Sequence, residues 1–211
     1  TNASSYTNLG DENITITDTQ SATNVNTILG KTTGTVTATV SADTAAALNT
    51  ALTNATTGTD ALTLTINDTS LTSVSDLLAL DGKTNVAVNA SSVNSITDTY
   101  TNLNLAYDAG IAGTISGLGN EAVTISDTTS AANVNIIAGK TSGVLTATIT
   151  TGAVTSTLAA ITNVDANDVI TFTTNDTSVD ASDLVALAVK VDTLGVNSVT
   201  TITEAYNTAS V

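Results

Sequence analysis

Residues 9–34 read LGDENITITDTQSATNVNTILGKTTG, and residues 118–143 read LGNEAVTISDTTSAANVNIIAGKTSG, an ungapped match 109 residues further on. Self-similarity at a fixed spacing marks a chain built from copies of one supersecondary unit. The halves that follow correspond too: TINDTSLTSVSDLLALDGKT at 65–84 pairs with TTNDTSVDASDLVALAVKV at 173–191. Each large repeat is itself double. An apolar-Thr alternation, an Asp and a short apolar-periodic run ending near Lys recur around Asp18, Asp68, Asp127 and Asp176, spaced 50, 59 and 49 residues apart. All four lysines of the chain, Lys31, Lys83, Lys140 and Lys190, fall 13 to 15 residues after that Asp. The reading divides the chain into a first large repeat at 1–117, with sub-repeats at 9–61 and 62–117, and a second at 118–211, with sub-repeats at 118–168 and 169–211.

Inside each sub-repeat the strand signal is a period of two. It is carried by ITIT at 14–17, VTATV at 36–40, LTLTI at 62–66, VTIS at 123–126, LTATI at 145–149 and ITFT at 170–173. One face of each is apolar and the other mostly Thr. Between them lie runs with helical spacing: Val25, Ile28 and Leu29; Leu48, Ala51 and Leu52; Val74, Leu77 and Leu78; Tyr100, Leu103 and Tyr107; Val134 and Ile137; Leu184 and Leu187. Strand and helix alternate every 20 to 27 residues, with one longer unit at 86–122. Alternation of this kind predicts an α/β fold with parallel strands joined by helical crossovers. Because the units repeat, the expected form is a right-handed βα solenoid of about eight coils. A compact βαβ-type sandwich is the alternative.

Composition narrows the function. The chain has no His, Cys, Met, Trp or Pro, and its four basic residues are all Lys. The usual general base, the thiolate nucleophile and the commonest transition-metal ligands are therefore missing. The acids are spread over the repeats rather than paired, so an enzyme is not expected. With four Tyr and one Phe, the core must come from Ala, Val, Ile and Leu, which suits a thin, elongated core. Hydrophobic content of 41% with regular spacing argues against disorder despite a net charge of −15. That charge repels nucleic acid and anionic lipid, and no apolar run reaches the length of a membrane span. The chain opens at Thr1 without Met or a signal-peptide pattern, and both ends interrupt a repeat unit, which reads as a processed or excised segment covered by neighbouring repeats or by copies of itself.

Four motifs carry candidate chemistry. Gly-Lys-Thr at 30–32, 82–84 and 139–141 matches the end of a phosphate loop, but the required first glycine is Val25, Leu77 or Val134. The expected role is instead a glycine at a helix C-terminus, with Lys beside the negative end of the helix dipole. Asp18, Asp68, Asp127 and Asp176, with Ser21, Ser130 and Ser178 nearby, read as helix N-caps, and Ser73 with Asp76 as an acidic capping box. Asn163, Asp165, Asn167 and Asp168 supply oxygens in the opening spacing of a calcium loop. Asp168 stands where that loop needs Gly and Thr174 where it needs Glu, so calcium is the one cofactor to test. The Thr-x-Thr pairs form a hydroxyl face that suits a solvated sheet, sheet-to-sheet packing or ice.

The stretch SVSDLLALDGKTNVAVNASSVNSITDTYTNLNLAYDAGIAG at 73–113, followed by ISGLGNEAVTISDT at 115–128, resembles repeat modules of very large cyanobacterial surface and extracellular proteins. SDLLALDG at 75–82 also resembles repeats of phage tail fibres. The first resemblance covers nearly the whole chain and implies tandem arrays in secreted adhesins, coats or fibres. It carries no catalytic residue onto this sequence. The expected function is that of a structural segment of an extracellular or cell-surface filament or adhesin, assembling through repeat stacking. The alternatives are a module binding calcium, glycan or ice, and a tail-fibre shaft. Self-association or neighbouring repeats are the expected partners, with no nucleic acid and no membrane insertion.

Overall fold

The structure, a computed structural model, describes residues 10–56 and 58–204. It is an α/β fold with parallel strands, in two compact units. The first comprises the residues up to Ser95 together with Leu105–Leu118, and the second Ile96–Asn104 together with the residues from Gly119 on.

In the first unit the chain runs β1 (Ile14–Thr15), α1 (Ala22–Leu29), β2 (Val36–Thr39), α2 (Ala45–Ala51), β3 (Ala61–Thr63), β4 (Ser70–Leu71), α3 (Ser75–Asp81) and β5 (Val88–Asn89). Next come β6 (Ser95–Asp98) and α4 (Tyr100–Ala112), which contribute residues to both units, and then β7 (Ile115–Ser116). The second unit continues with β8 (Ala122–Thr129), α5 (Ala131–Ala138), β9 (Leu145–Ile149), α6 (Val154–Ala160), β10 (Val169–Thr173), β11 (Ser178–Asp180), α7 (Ala181–Ala188), β12 (Thr193–Gly195) and β13 (Thr201–Thr203).

The strand pairs described below are all parallel, and each partner lies one strand-helix rung further along the chain. In the first unit Ile14 sits beside Val36, Thr37 beside Ala61, Thr65 beside Asn89, and Val88 beside Ile115. In the second, Val123 sits beside Leu145, Thr146 beside Val169, and Thr171 beside Thr193. Strand order therefore follows chain order, β1-β2-β3 in one unit and β8-β9-β10-β12 in the other. A shorter second ladder runs alongside, with Gln20 beside Val40 and Asp43 beside Ile66 in the first unit and Ser178 beside Thr201 in the second.

The alternation sets the core. In β2 Val36 and Ala38 point inward, while Thr37 and Thr39 face out; Leu62, Leu64 and Ile66 repeat the inward set one rung on. Each helix turns a narrow apolar stripe onto the strands: Val25 and Leu29 in α1, Leu77 and Leu80 in α3, Val134 and Ile137 in α5. Only two aromatic rings are buried among the described residues, Tyr107 and Phe172. Burying a Val, Leu or Ile side chain contributes roughly 1.5–3 kcal/mol, so a core of many small increments can hold such a chain.

Helix α6 is the element the apolar spacing does not announce. Its sequence, VTSTLAA, is rich in residues that are poor in helices, and Ala153 at its N-cap offers no side-chain acceptor. Its first amide, Val154 N–H, donates to Asp176 Oδ2 at 2.7 Å, 22 residues downstream. The cap is supplied by the next rung. Among the described residues no helix is long and apolar enough to cross a membrane.

Candidate functional site

The polar residues singled out by the repeat are joined from rung to rung. Asp68 Oδ2 accepts from Ala45 N–H at 2.7 Å, Asp127 Oδ1 from Tyr100 N–H at 2.8 Å, and Asp176 Oδ2 from Val154 N–H at 2.7 Å. In each case the donor is the first residue of the preceding helix. These aspartates cap helices, but the helix behind them rather than the one ahead. Asp18 accepts from the Gln20 side-chain amide at 2.6 Å. The helices ahead are capped by Ser21 and Ser130, each accepting from the amide three residues on. The capping box at Ser73 and Asp76 does not form. The N-cap of α3 is Val74 with no side-chain cap, and Asp76 Oδ1 instead accepts from Asn49 Nδ2 on α2 at 2.8 Å.

A second set of side chains holds the heads of the strands. Asp60 Oδ1 accepts from Val36 N–H at 2.9 Å, Asp168 Oδ1 from Leu145 N–H at 2.9 Å, and Asp192 Oδ2 from Ile170 N–H at 3.2 Å. Thr84 takes this place for Leu62 N–H at 2.9 Å. Asp60, Thr84 and Asp168 are buried. A buried polar group is tolerable when its bonds are made, and no described buried side-chain polar atom lacks a partner.

This network accounts for Gly-Lys-Thr. The Thr hydroxyl donates back one rung, Thr32 to Glu12 O at 2.6 Å, Thr141 to Glu121 O at 2.9 Å and Thr84 to Leu62 O at 2.8 Å, while accepting from the amide two residues on. Gly30, Gly82 and Gly139 are helix C-caps with φ of −75°, −68° and −80°, outside the left-handed region. A side chain at Gly30 or Gly139 would meet Asn54 or Asn163 Nδ2 of the next rung, at 2.9 and 2.7 Å from an added Cβ. The lysines also reach across rungs. Lys83 Nζ donates to Leu52 O, the C-cap carbonyl of α2, at 2.8 Å; Lys190 Nζ to Val164 O at 2.8 Å; Lys140 Nζ to Asn104 Oδ1 at 2.8 Å. None lies in the last turn of its own helix, and Lys31 sits on an exposed turn.

Asn163, Asp165, Asn167 and Asp168 are brought together along one open cleft of about 300 Å³. Several of their polar atoms are already engaged. Asn163 N–H and Nδ2 donate to Asn135 Oδ1 and O, at 2.6 and 3.1 Å; Asp165 Oδ1 accepts from Asn167 N–H at 2.7 Å; Asp168 Oδ2 accepts from Asp165 N–H at 3.1 Å. The Asn135–Asn163 pair repeats Asn26–Asn54, whose bonds measure 2.8 and 3.1 Å. No cluster of three or more carboxylates able to hold a metal occurs among the described residues. On the outer face Thr15 adjoins Thr37, Thr39 adjoins Thr63, and Thr148 adjoins Thr171 and then Thr193. Ala61 and exposed Val169 interrupt the columns.

Two carboxyls are held below their usual range. At Glu12 the cause is first the Gly10 amide, which donates to Oε2 at 2.7 Å. At Asp180 it is the Ser182 hydroxyl and then its amide, at 2.6 and 2.9 Å. Both shifts come from donors that favour the charged form, the arrangement of a backbone staple.

No protein-family model, curated protein or solved structure matches this chain.

Proposed function

We propose that this chain is a structural repeat segment of an extracellular or cell-surface filament or adhesin-like protein, built as a solenoid and working through the stacking of its rungs. The observation that carries the reading is the recurrence of one set of staples at one rung's separation: Asp onto the helix behind, Asp or Thr onto the strand behind, Thr onto the carbonyl behind. In a stacked array each rung depends on its neighbour for such bonds. Sheet order that follows chain order within each unit favours a solenoid over a compact doubly wound sheet, whose order reverses at a switch point. Side chains without thiol or imidazole, engaged with backbone groups, suit a passive, solvated role. The resemblance to cyanobacterial surface repeats agrees with that role.

Immunogold electron microscopy on the cells that make the protein tests the reading. Gold along surface filaments or the outer coat is the expected result. Label confined to the cell interior overturns it.

A further inference from the structure

In the second unit, Val123, Ile125 and Ile137 are buried. The segment Ile96–Asn104 is bound to their rung: β6 adjoins β8, Tyr100 N–H donates to Asp127 Oδ1, and Lys140 Nζ donates to Asn104 Oδ1. The equivalent residues of the first unit are Ile14, Ile16 and Ile28, and they are only half-buried. Ile16 and Ile28 line an open, mainly apolar cleft of about 360 Å³. Asp18, the counterpart of Asp127, and Lys31, the counterpart of Lys140, take no partner from another rung among the described residues.

The last rung presents the matching piece. Val199 N–H donates to Val196 O as Val93 N–H donates to Ala90 O, both at 3.0 Å, and β13 pairs with β11. Ile202 therefore stands where Ile96 does, and ITEAYN at 202–207 copies ITDTYT at 96–101. Ile96 is 1% exposed and Ala90 0%, whereas Ile202 is 63% exposed and Val196 42%.

We infer that the Ile14–Ile16–Ile28 face docks a second copy of this chain, head to tail, through that copy's β13, as β6 binds β8. The inference rests on the proposed role in repeat stacking and names the surface that performs it. The docked strand brings Ile202 to the open cleft, and the incoming copy meets Asp18 and Lys31 as Ile96–Asn104 meets Asp127 and Lys140. The faces differ, so the contact is heterologous and propagates instead of closing. A rival occupant is the chain's own YTNL at 6–9, identical to 100–103. In that alignment Asn2 stands at the place of Ile96, so the apolar residue that the face calls for comes from Ile202.

Sedimentation velocity of the whole chain at rising concentration tests the docking. Wild type is expected to grow into a ladder of oligomers. Ile28→Asp removes one face and Ile202→Asp the other, and each alone is expected to lose every species above monomer. An equal mixture of the two retains one good pair of faces and is expected to stop at a heterodimer. Lys31→Glu, on an exposed turn, lowers association severalfold while leaving the melting curve unchanged. A wild type that stays monomeric, variants that assemble like it, or a mixture without heterodimer would overturn the docking. Ile28→Asp melting early beside a monomeric wild type assigns the face to residues 6–9 and also overturns it. Gold on surface filaments with a monomeric chain leaves the proposed function standing and removes this docking. Oligomers from a chain confined to the cell interior do the reverse.

Discussion

Asp68 Oδ2 accepts a hydrogen bond from the backbone amide of Ala45 at 2.7 Å, tying a residue at the end of one rung to the first turn of the helix in the rung before. A carboxylate in that place satisfies a free amide and meets the positive end of the helix dipole. Asp68→Ala is expected to destabilise by about 1–2 kcal/mol, the usual worth of an N-cap. In a chain of this size that lowers the thermal midpoint by about 2–8 °C. Asp18→Ala, which among the described residues loses only the Gln20 contact, should stay within about 0.5 kcal/mol of wild type in dilute, monomeric protein. Parallel thermal melts of the two variants check the difference.

Thr84 is the buried member of the Gly-Lys-Thr staples. Its buried hydroxyl accepts from Leu62 and Val86 N–H and donates to Leu62 O. Thr84→Val keeps the shape and strands those groups, at a cost of about 1–3 kcal/mol each. Thr84→Ser keeps the hydroxyl and should recover most of the loss. Urea unfolding at constant m-value is the measurement.

The same residues explain how far the sequence could be read. Strand alternation and the α1 and α5 stripes are local patterns, so ITIT and NVNTIL could be placed from spacing alone. The aspartates were legible as caps, because Asp and Ser are N-cap residues, but the direction of capping was not. A bond from Asp176 to Val154 spans 22 residues, and no local rule specifies which of two flanking helices receives it. The same blindness hid α6. Dipole reasoning puts the lysines at their own helix ends; Lys83 instead reaches the end of α2, because an extended side chain spans the distance between rungs. Asp60 and Asp192 stand in no motif and Asp168 reads as part of a calcium loop, though their recurrence in step with the strand heads is itself a signal.

Close approach rather than backbone conformation fixes Gly143. A Cβ there would lie 2.2 Å from Glu121 O and 2.5 Å from its carbonyl carbon, atoms held by the Thr141 staple. Gly143→Ala must push two rungs apart, so its cost should reach or pass the upper end of the roughly 1–3 kcal/mol seen for overpacking. Gly58 is the contrast: its φ is +73° and nothing lies within 4 Å of an added Cβ. Gly58→Ala should cost about 1–2 kcal/mol, from the left-handed backbone alone. Thermal melts of the pair separate steric from conformational demand.

Acid should remove part of the stability through Glu12 and Asp180. Both carboxyls have folded values below their usual range, because donors from Gly10 and Ser182 favour the charged form. A lowered folded value gives a contribution fully present above the unfolded carboxylate range and lost as pH falls through the folded value. Glu12→Gln and Asp180→Asn should therefore lie below wild type at neutral pH and converge with it on acidification. Midpoints recorded from neutral to acid pH test this. A constant gap would refute the assignment, and the relief of a net charge of −15 acts equally on wild type and variants.

Calcium should add nothing specific at Asn163–Asp168. An ion there would compete with Asn167 N–H for Asp165 Oδ1 and with Leu145 and Asp165 N–H for the two oxygens of buried Asp168. Freeing Leu145 N–H at the head of β9 would cost about 1–3 kcal/mol before any ligand bond formed. Divalent cations will still screen a chain of net charge −15. The expected outcome is thus an equal rise in midpoint with calcium and with magnesium at matched concentration, reversed by chelator in both cases. Specific binding would appear as a larger, saturable shift with calcium, by the logarithm of ligand over dissociation constant. If that excess appeared and vanished in Asp165→Asn, the cleft would be a calcium site, and the staple at Leu145 would have to be remade around the ion.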